Sequence, residues 1–242
     1  EVGAGLEVGA GLGVDSLLDA LVCVFEEFSQ SALVGDKHVR PFLEWAAPIV
    51  RKVRRLRMNR DDFHILKVIG RGAFSQIAVV NRKKTNEVFA MKVMNKQETL
   101  SRAEMVCYRE EREVLTRGDS RWITKLHFAF QDDHYLYLVM EFCGGGDLLT
   151  LLGRFGDRFP EAVARFYLAE LALAVDTVHQ LGYVHRDVKP DNVLLDVGGH
   201  VKLADFGSCL RLNEDGRVCS SLGVGTPDYM APETLLALED GT

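Results

Sequence analysis

Four polar side chains with separate chemical uses lie within residues 183–207: Asp187, Lys189, Asn192 and Asp205. The apolar runs among them, broken by Gly198-Gly199, predict two short strands joined by a turn. Such a hairpin would bring Asn192 and Asp205 to the same end. An amide oxygen beside a carboxylate suits a hard cation such as Mg²⁺, which prefers oxygen ligands. Asp187 lies five residues before Asn192, close enough to take a proton from a nucleophile beside that metal.

The types and spacing of these residues resemble the catalytic machinery of eukaryotic protein kinases. His185-Arg186-Asp187, followed by Asn192, resembles the catalytic loop, and Asp205-Phe206-Gly207 resembles the metal-binding motif. The resemblance implies that Asp187 is the base or orienting group for a substrate hydroxyl and that Lys189 neutralises charge on the transferred phosphoryl group. It also implies that Asn192 and Asp205 hold Mg²⁺ for bound ATP. The alternatives at single positions are a loop cap for Asp187 and an Asx-turn for Asn192.

A second pair of ionisable residues, Lys92 and Glu111, is predicted to be buried together. The period of two in residues 88–94 puts Lys92 on an otherwise apolar strand face. In the helix that follows, Glu111 lies near the centre of the apolar face, whereas Glu110 and Glu113 are predicted to point away. Pairing is favoured because a lone buried charge costs roughly 3–5 kcal/mol. The pair matches the lysine–glutamate ion pair with which protein kinases hold the α- and β-phosphates of ATP.

The link between the first two predicted strands is rich in glycine: Gly70-Arg71-Gly72-Ala73-Phe74-Ser75. Glycine allows the backbone to approach phosphate oxygens closely. The same pattern also occurs in plain hairpins, so alone it is a weak indication. Protein kinases have a third glycine where this chain has Ser75, a small residue that fits the position with somewhat less flexibility.

The kinase resemblance implies a full set of nucleotide-binding residues. Met140 matches the residue at the back of the adenine pocket, and Glu141 to Cys143 would offer backbone hydrogen bonds to adenine. Asp147 would reach the ribose or a basic substrate residue, and a helix N-cap is an equally good role for it. The implied ATP-binding set is Ile69, Gly70, Arg71, Gly72, Ala73, Phe74, Ser75, Gln76, Ile77, Ala90, Lys92, Met140, Glu141, Cys143, Asp147 and Leu194. The implied catalytic set is Lys92, Glu111, Asp187 and Lys189, and the implied metal ligands are Asn192 and Asp205.

The order of the predicted elements favours an α+β fold with the two lobes of a protein kinase. Strand-like runs cover 63–69, 77–81, 88–94, 126–131 and 135–141. Helical patterns cover 101–118, 147–155 and 161–181. Strands therefore come first and helices second, which predicts an N-lobe at 61–143 and a C-lobe at 144–242.

Two amphipathic helices are predicted before the catalytic region, at 15–34 and 38–59. Residues 1–14 are glycine-rich, contain a tandem repeat and are expected to be disordered. The apolar stripes of the two helices must be buried, either on the catalytic region or on a partner chain. The basic run near residue 55 is interpreted as a solvated face.

Composition excludes several classes of protein. The net charge of −6 argues against a nucleic-acid-binding protein with a basic surface. Five scattered cysteines without a Cys-x-x-Cys pair indicate reduced thiols, and hence a cytoplasmic protein, with neither a zinc site nor a disulfide framework. The most apolar long window, residues 162–181, contains charged residues and is predicted to be a buried helix, not a membrane span. No secretory signal is evident, and no membrane association is encoded in this segment.

Further motifs resemble one branch of the AGC kinases, that of the myotonic dystrophy protein kinase and its myotonin-related relatives, akin to the Rho-associated kinases. These motifs include Arg109-Glu-Glu-Arg112, Gly145-Gly146-Asp147-Leu-Leu-Thr, Ala204-Asp-Phe-Gly-Ser-Cys-Leu210 and Val224-Gly-Thr-Pro-Asp-Tyr229. In that branch the region before the kinase domain forms a helical dimerisation bundle, so residues 15–60 are expected to form a homodimer. The family phosphorylates Ser/Thr near basic residues and acts on actomyosin regulators, which implies protein substrates of that kind and a cytoskeletal role.

Residues 208–233 resemble an activation segment that ends in Ala231-Pro232-Glu233. Many relatives have a phosphorylated threonine three residues before Gly225, where this chain has Leu222. We therefore expect that activity does not require phosphorylation at that position.

The sequence ends at Thr242, shortly after the Ala-Pro-Glu motif. By comparison with the family, the C-lobe is expected to be incomplete. Two alternatives to an active kinase follow. One is an inactive fragment that only binds nucleotide or dimerises, and the other is a scaffold that does not depend on nucleotide.

Overall fold

The computed structural model describes residues 14–72, 75–98, 102–218, 220 and 223–239. It contains two compact units, Glu1–Met58 and Asn59–Thr242. The predicted disordered segment falls almost wholly outside the described residues, since only its last residue, Val14, is included.

The first unit is a pair of helices, α1 (Val14–Gln30) and α2 (Val39–Leu56), joined by a short 3₁₀ turn. Both predicted helices are confirmed, although α1 ends four residues earlier than 34 because the Ser31 side chain accepts a hydrogen bond from Leu33 N and starts the turn. A small core joins the helices: Val22, Ala46, Val50 and Val53, with Leu18, Leu21, Phe25, Phe42 and Ile49 packed against it. Part of the basic run forms ion pairs with α1, between Arg54 and Glu26 and between Arg57 and Asp19.

The second unit begins with an antiparallel sheet of five strands. These strands are β1 (Phe63–Arg71), β2 (Ser75–Arg82), β3 (Val88–Asn95), β4 (Leu126–Gln131) and β5 (Tyr135–Glu141), in the order β1-β2-β3-β5-β4. Helix α3 (Arg102–Arg117) lies between β3 and β4 in the chain. All five predicted strands and the helix are confirmed.

Aromatic side chains bring the two edges of this sheet together. Phe63 on β1 stacks on Phe130 of β4 with ring centroids 6.0 Å apart, although β1 and β4 are at opposite ends of the strand order. Phe89 on β3 contacts both Phe63 and Phe128 edge to face. The sheet is therefore strongly curved, and its concave side is filled by rings that bury a large apolar area.

The described part of the rest of the second unit combines helices with short strands. The elements are β6 (Gly146–Asp147), α4 (Leu148–Arg154), α5 (Glu161–Gln180), β7 (Tyr183–Val184), β8 (Val193–Leu195), β9 (Val201–Leu203), β10 (Leu210–Arg211) and α6 (Pro232–Glu239). The predictions for α4 and α5 are confirmed within one residue, whereas α6 was not predicted. Within the described ranges, no helix combines the length and the apolarity needed to cross a bilayer.

The β8–β9 hairpin, which carries the predicted site, is held from two sides. The buried Glu170 of α5 accepts hydrogen bonds from Val201 N (2.8 Å) and pairs with His200 Nδ1 (2.7 Å). On the other side, Leu203 N donates to Trp122 O (2.7 Å) and Leu203 O accepts from Thr124 N (3.1 Å). The loop after α3 is thus joined to β9 by backbone hydrogen bonds, which ties the five-stranded sheet to the hairpin.

Candidate active site

The hairpin brings Asn192 and Asp205 together as the sequence predicts. Val193 pairs with Leu203, and Asn192 O accepts a hydrogen bond from Ala204 N at 2.9 Å. Asp205 adopts a left-handed backbone conformation (φ 58°), which an aspartate reaches only at a conformational cost. The surrounding contacts hold it there, and its side chain is 46% exposed.

Asp187 lies at the centre of a polar cluster. Its carboxylate is 2.8 Å from Lys189 Nζ, accepts a hydrogen bond from Thr226 Oγ1 at 2.8 Å, and accepts another from Asn192 Nδ2 at 3.1 Å. Burial alone would raise the pKa of Asp187, but the hydrogen bonds from Lys189, Thr226 and Asn192 outweigh it and lower the pKa below the usual range. Asp187 is therefore ionised near neutral pH and can accept a hydrogen bond from a hydroxyl.

Thr226 is a site residue that the sequence analysis missed. Its hydroxyl accepts a hydrogen bond from Lys189 Nζ (2.8 Å) and donates one to Asp187 (2.8 Å). It therefore fixes the relative positions of the two groups. The sequence analysis used Thr226 only as part of the motif Val224-Gly-Thr-Pro-Asp-Tyr229, which indicates the kinase branch.

The buried side chain of His185 supports the loop that carries Asp187. The side chain is 2% exposed, Nδ1 accepts a hydrogen bond from Asp187 N (3.2 Å), and Nε2 lies 3.0 Å from Ala204 O. These partners assign the proton to Nε2, and burial lowers the pKa of His185. A neutral imidazole thus joins the Asp187 loop to the segment before Asp205.

Lys92 and Glu111 form the buried ion pair that the sequence predicts. Lys92 Nζ is 2.7 Å from Glu111 Oε1 and 3.0 Å from Asp205 Oδ1, and both members of the predicted pair are almost fully buried. Burial alone would lower the pKa of Lys92, but the two carboxylates outweigh it and raise the pKa. Lys92 of β3 thus joins Glu111 of α3 to Asp205 at the end of the β8–β9 hairpin.

Gly207 is a second position that sequence analysis did not single out. A Cβ atom added there would lie 3.1 Å from Lys92 Nζ and 3.4 Å from Asp205 Oδ1. That approach is tighter than ordinary contact, so a side chain at this position would require the Lys92 ammonium group to shift by a few tenths of an ångström.

Asn192 and Asp205 have the chemistry of ligands for a hard cation. Asn192 uses its amide nitrogen for Asp187 O (2.8 Å) and Asp187 Oδ2, which leaves its amide oxygen as the acceptor. The charge of Lys92 is the main cause that keeps the pKa of Asp205 low, so Asp205 is ionised. Among the described residues, no group of three or more His, Cys, Asp or Glu is placed to hold a metal. Two oxygen ligands fit Mg²⁺, which keeps several waters and shares phosphate oxygens.

On the two sides of the glycine-rich loop, Gly70 pairs with Ile77 and Arg71 pairs with Gln76. Gly72 N donates to Ser75 O at 2.8 Å. This amide is therefore engaged within the loop. Ala73 and Phe74 lie outside the described residues.

The remaining nucleotide-binding candidates lie on several strands and on the segment after β5. Met140 is buried and pairs with Ala90 on β3, and Cys143 is buried just beyond the strand. The other members of this set differ in exposure: Ile69 is exposed, whereas Ile77 and Leu194 are partly buried. Burial is the main cause that raises the pKa of Cys143 to about 12, so its thiol is protonated.

Two acidic candidates are engaged by the protein itself. The Glu141 side chain accepts a hydrogen bond from Lys125 N (2.7 Å) and is 3.1 Å from Lys202 Nζ. Asp147 caps α4 by accepting hydrogen bonds from Thr150 N (2.6 Å) and Thr150 Oγ1 (2.9 Å). The N-cap role that the sequence allowed for Asp147 is therefore present.

Glu110 and Glu113 are both partly exposed, in keeping with their predicted position off the central face of α3, but both contact neighbouring elements. Glu110 Oε2 accepts a hydrogen bond from Arg211 N at 2.7 Å. Glu113 pairs with Arg117 and lies against the hydroxyl of Tyr183. Burial is the largest cause that raises the pKa of Tyr183 to about 12, and the contact with Glu113 is the next largest. A helical wheel identifies only the central face, whereas β7 and β10 cover the flanks of α3 as well.

The curved sheet, the buried lysine–glutamate pair and the aspartate loop are together the features of a protein kinase domain. Residues 63–242 match the protein kinase domain family, about three-quarters of the chain, and the chain belongs to this family. The α+β protein-kinase fold predicted from the sequence is thereby confirmed.

Comparison with curated proteins identifies the branch. The chain is 60% identical over 232 residues to serine/threonine-protein kinase MRCK beta of Rattus norvegicus, covering 96% of this chain and 14% of that protein. It is 61% identical over 235 residues to MRCK gamma of Homo sapiens, covering 97% of this chain and 15% of that protein. It is 60% identical over 233 residues to MRCK alpha of Mus musculus, covering 96% and 14%. The predicted resemblance to the myotonic dystrophy kinase branch is confirmed, and the chain spans about one-seventh of the length of these relatives.

Proposed function

We propose that this chain transfers the γ-phosphoryl group of ATP to Ser or Thr hydroxyls of protein substrates. The observation that carries the proposal is the position of Asp187, which is ionised and held by Lys189, Thr226 and Asn192. Asn192 is joined in turn to Ala204, the residue before Asp205, by a backbone hydrogen bond. A carboxylate next to a cation and two oxygen ligands is suited to orient a hydroxyl for attack on a phosphoryl group.

Each residue then has a defined part in the reaction. Asp187 accepts the hydroxyl proton, and Lys189 neutralises charge on the group that is transferred. Asn192 and Asp205 would hold Mg²⁺, which when bound neutralises phosphate oxygens. Lys92, oriented by Glu111, would bind the α- and β-phosphates. Ala90, Met140 and the segment after β5 would enclose the adenine.

The substrate preference is proposed from the net charge and the branch. A net charge of −6 favours basic peptides, and kinases of this branch phosphorylate Ser or Thr near basic residues. Protein substrates that regulate actomyosin and the cytoskeleton fit this preference. Free thiols at Cys23, Cys143 and Cys209 support a reducing, cytoplasmic location.

Transfer of ³²P from Mg-ATP to a Ser peptide flanked by arginines tests the proposal. The chain is first treated with phosphatase, which also tests whether activity needs a phosphate in the activation segment. Leu222 and Ser221 lie outside the described residues, so it stays a prediction that activity does not require phosphorylation of this segment. We expect transfer to the Arg-flanked peptide and much less to the same peptide with Glu in place of Arg. A chain whose melting temperature rises with Mg-ATP but which transfers no phosphate would instead be the inactive, nucleotide-binding fragment.

We also propose that the first unit forms a homodimer. The helices α1 and α2 and the turn between them expose several large apolar side chains that their small core does not cover: Leu17, Val24, Leu33, Val34, Trp45 and Leu56. A second copy is a suitable cover for such a surface.

Trp45→Glu is therefore expected to convert the dimer to a monomer, because Trp45 is 61% exposed and a charge would be buried in the interface. Sedimentation velocity across a concentration series measures this. Val197→Glu is the matched control, since Val197 is 96% exposed in the second unit. A monomeric parent chain, or equal behaviour of the two variants, would contradict the proposal.

A further inference from the structure

Helix α3 reaches three different elements through three glutamates within four residues. Glu111 binds Lys92 of β3, Glu113 lies against Tyr183 of β7, and Glu110 accepts a hydrogen bond from Arg211 N of β10 at 2.7 Å. Only the first of these contacts belongs to the proposed phosphate-binding machinery. The Glu110 contact joins positions 101 residues apart, and its acceptor is a carboxylate, the stronger kind of acceptor for a backbone amide.

Strand β10 connects this contact to the catalytic loop by two short routes. β10 pairs with β7 through Leu210 and Val184, and β7 leads directly into His185 and Asp187. In addition, Arg186 Nε donates to Ser208 O at 2.6 Å, just before β10. Arg186 has a left-handed backbone (φ 69°), so the loop depends on such contacts to keep its conformation.

The charges near this junction favour the same arrangement. The half-buried Arg186 lies near enough to Glu110 for the two charges to interact. Burial is the largest cause that lowers the pKa of Arg186, and Glu110 is among the neighbours that oppose this effect. A carboxylate from α3 thus provides negative charge at the junction of the catalytic loop and the activation segment.

We propose that Glu110 is a positioning residue that fastens β10 to α3 and so holds the catalytic loop in register with the Lys92–Glu111 pair. The inference rests on the proposed phosphotransfer function, because the groups it aligns are those of that reaction. Glu110 itself touches neither substrate nor nucleotide. Its removal should therefore lower the rate of the chemical step and leave the binding of Mg-ATP nearly unchanged.

The experiment compares Glu110→Ala, Glu110→Gln and Glu214→Ala in the full 242-residue chain. Glu214 is an exposed acidic residue of the activation segment, three residues after Arg211, so Glu214→Ala controls for the loss of one negative charge. Hydrogen exchange of the Arg211 amide reports the contact directly. Steady-state kinetics separate kcat from KM for ATP, and thermal unfolding reports general loss of stability.

We expect the Arg211 amide to exchange about tenfold faster in Glu110→Ala, as for loss of a hydrogen bond to a charged group. The kcat should fall about tenfold with KM for ATP within about twofold, and Glu110→Gln should recover much of both because its amide oxygen still accepts the bond. The inference is overturned if Glu110→Ala matches Glu214→Ala in exchange and in kcat. If the parent chain transfers no phosphate, the proposed function fails. Hydrogen exchange still tests the inference in that case, because an unchanged exchange rate of the Arg211 amide in Glu110→Ala would overturn the Glu110 contact.

Discussion

Asp187→Asn is expected to reduce kcat for phosphate transfer by roughly 10²–10⁴-fold, the usual range for loss of a general base. The amide has the same shape, so Thr226 can still donate to its oxygen. It has no charge to match Lys189 and cannot accept the hydroxyl proton. The affinity for Mg-ATP, measured by calorimetry, should change little because Asp187 is not among the proposed nucleotide or metal ligands.

Asp191→Asn is the matched control for this variant. Asp191 undergoes the same chemical change in the same loop, but its side chain is exposed. We expect it to retain nearly full activity. A similar loss of kcat in both variants would show that the loop charge as a whole matters, and retention of activity in Asp187→Asn would remove Asp187 from the proposed mechanism.

The parts of the site that sequence could predict depend on local periodicity. The β8–β9 hairpin follows from two apolar runs and a Gly-Gly turn, so the approach of Asn192 and Asp205 was predictable. The Lys92–Glu111 pair followed from one charged residue on each of two apolar faces, because a buried charge needs a partner. In each case the period of one element and a single physical requirement were sufficient.

The parts that sequence could not predict depend on where distant segments meet. Thr226 is 39 residues from Asp187, and no pattern in the activation segment shows that its hydroxyl lies between Asp187 and Lys189. Gly207 was visible as part of a motif, but its close approach to Lys92 Nζ exists only once β3 and the hairpin are packed. The contact of Glu110 with β10 was not predictable, because a helical wheel of α3 shows which face is apolar and not which other elements reach the helix.

Lys92→Met is the second prediction with a large effect. The variant removes the cation from a site where Glu111 is 2% exposed, and it leaves Glu111 and Asp205 without the partner that stabilises their charges. Loss of one member of a buried pair costs roughly 3–5 kcal/mol in the free energy of unfolding. We therefore expect a large fall in stability in urea denaturation and no increase of the melting temperature with Mg-ATP.

The double variant Lys92→Met/Glu111→Leu separates the structural part of the pair from its functional part. With both fully buried charges removed and similar volume retained, stability should recover much of the loss, because the one carboxylate still without its partner, Asp205, is 46% exposed and can be solvated. The response to Mg-ATP should not recover, because no cation remains to bind the phosphates. Recovery of both would mean that the pair stabilises the fold without binding nucleotide. Recovery of neither would mean that Asp205, which lies 3.0 Å from Lys92 Nζ, depends on the same cation for its ionised state and its strained backbone.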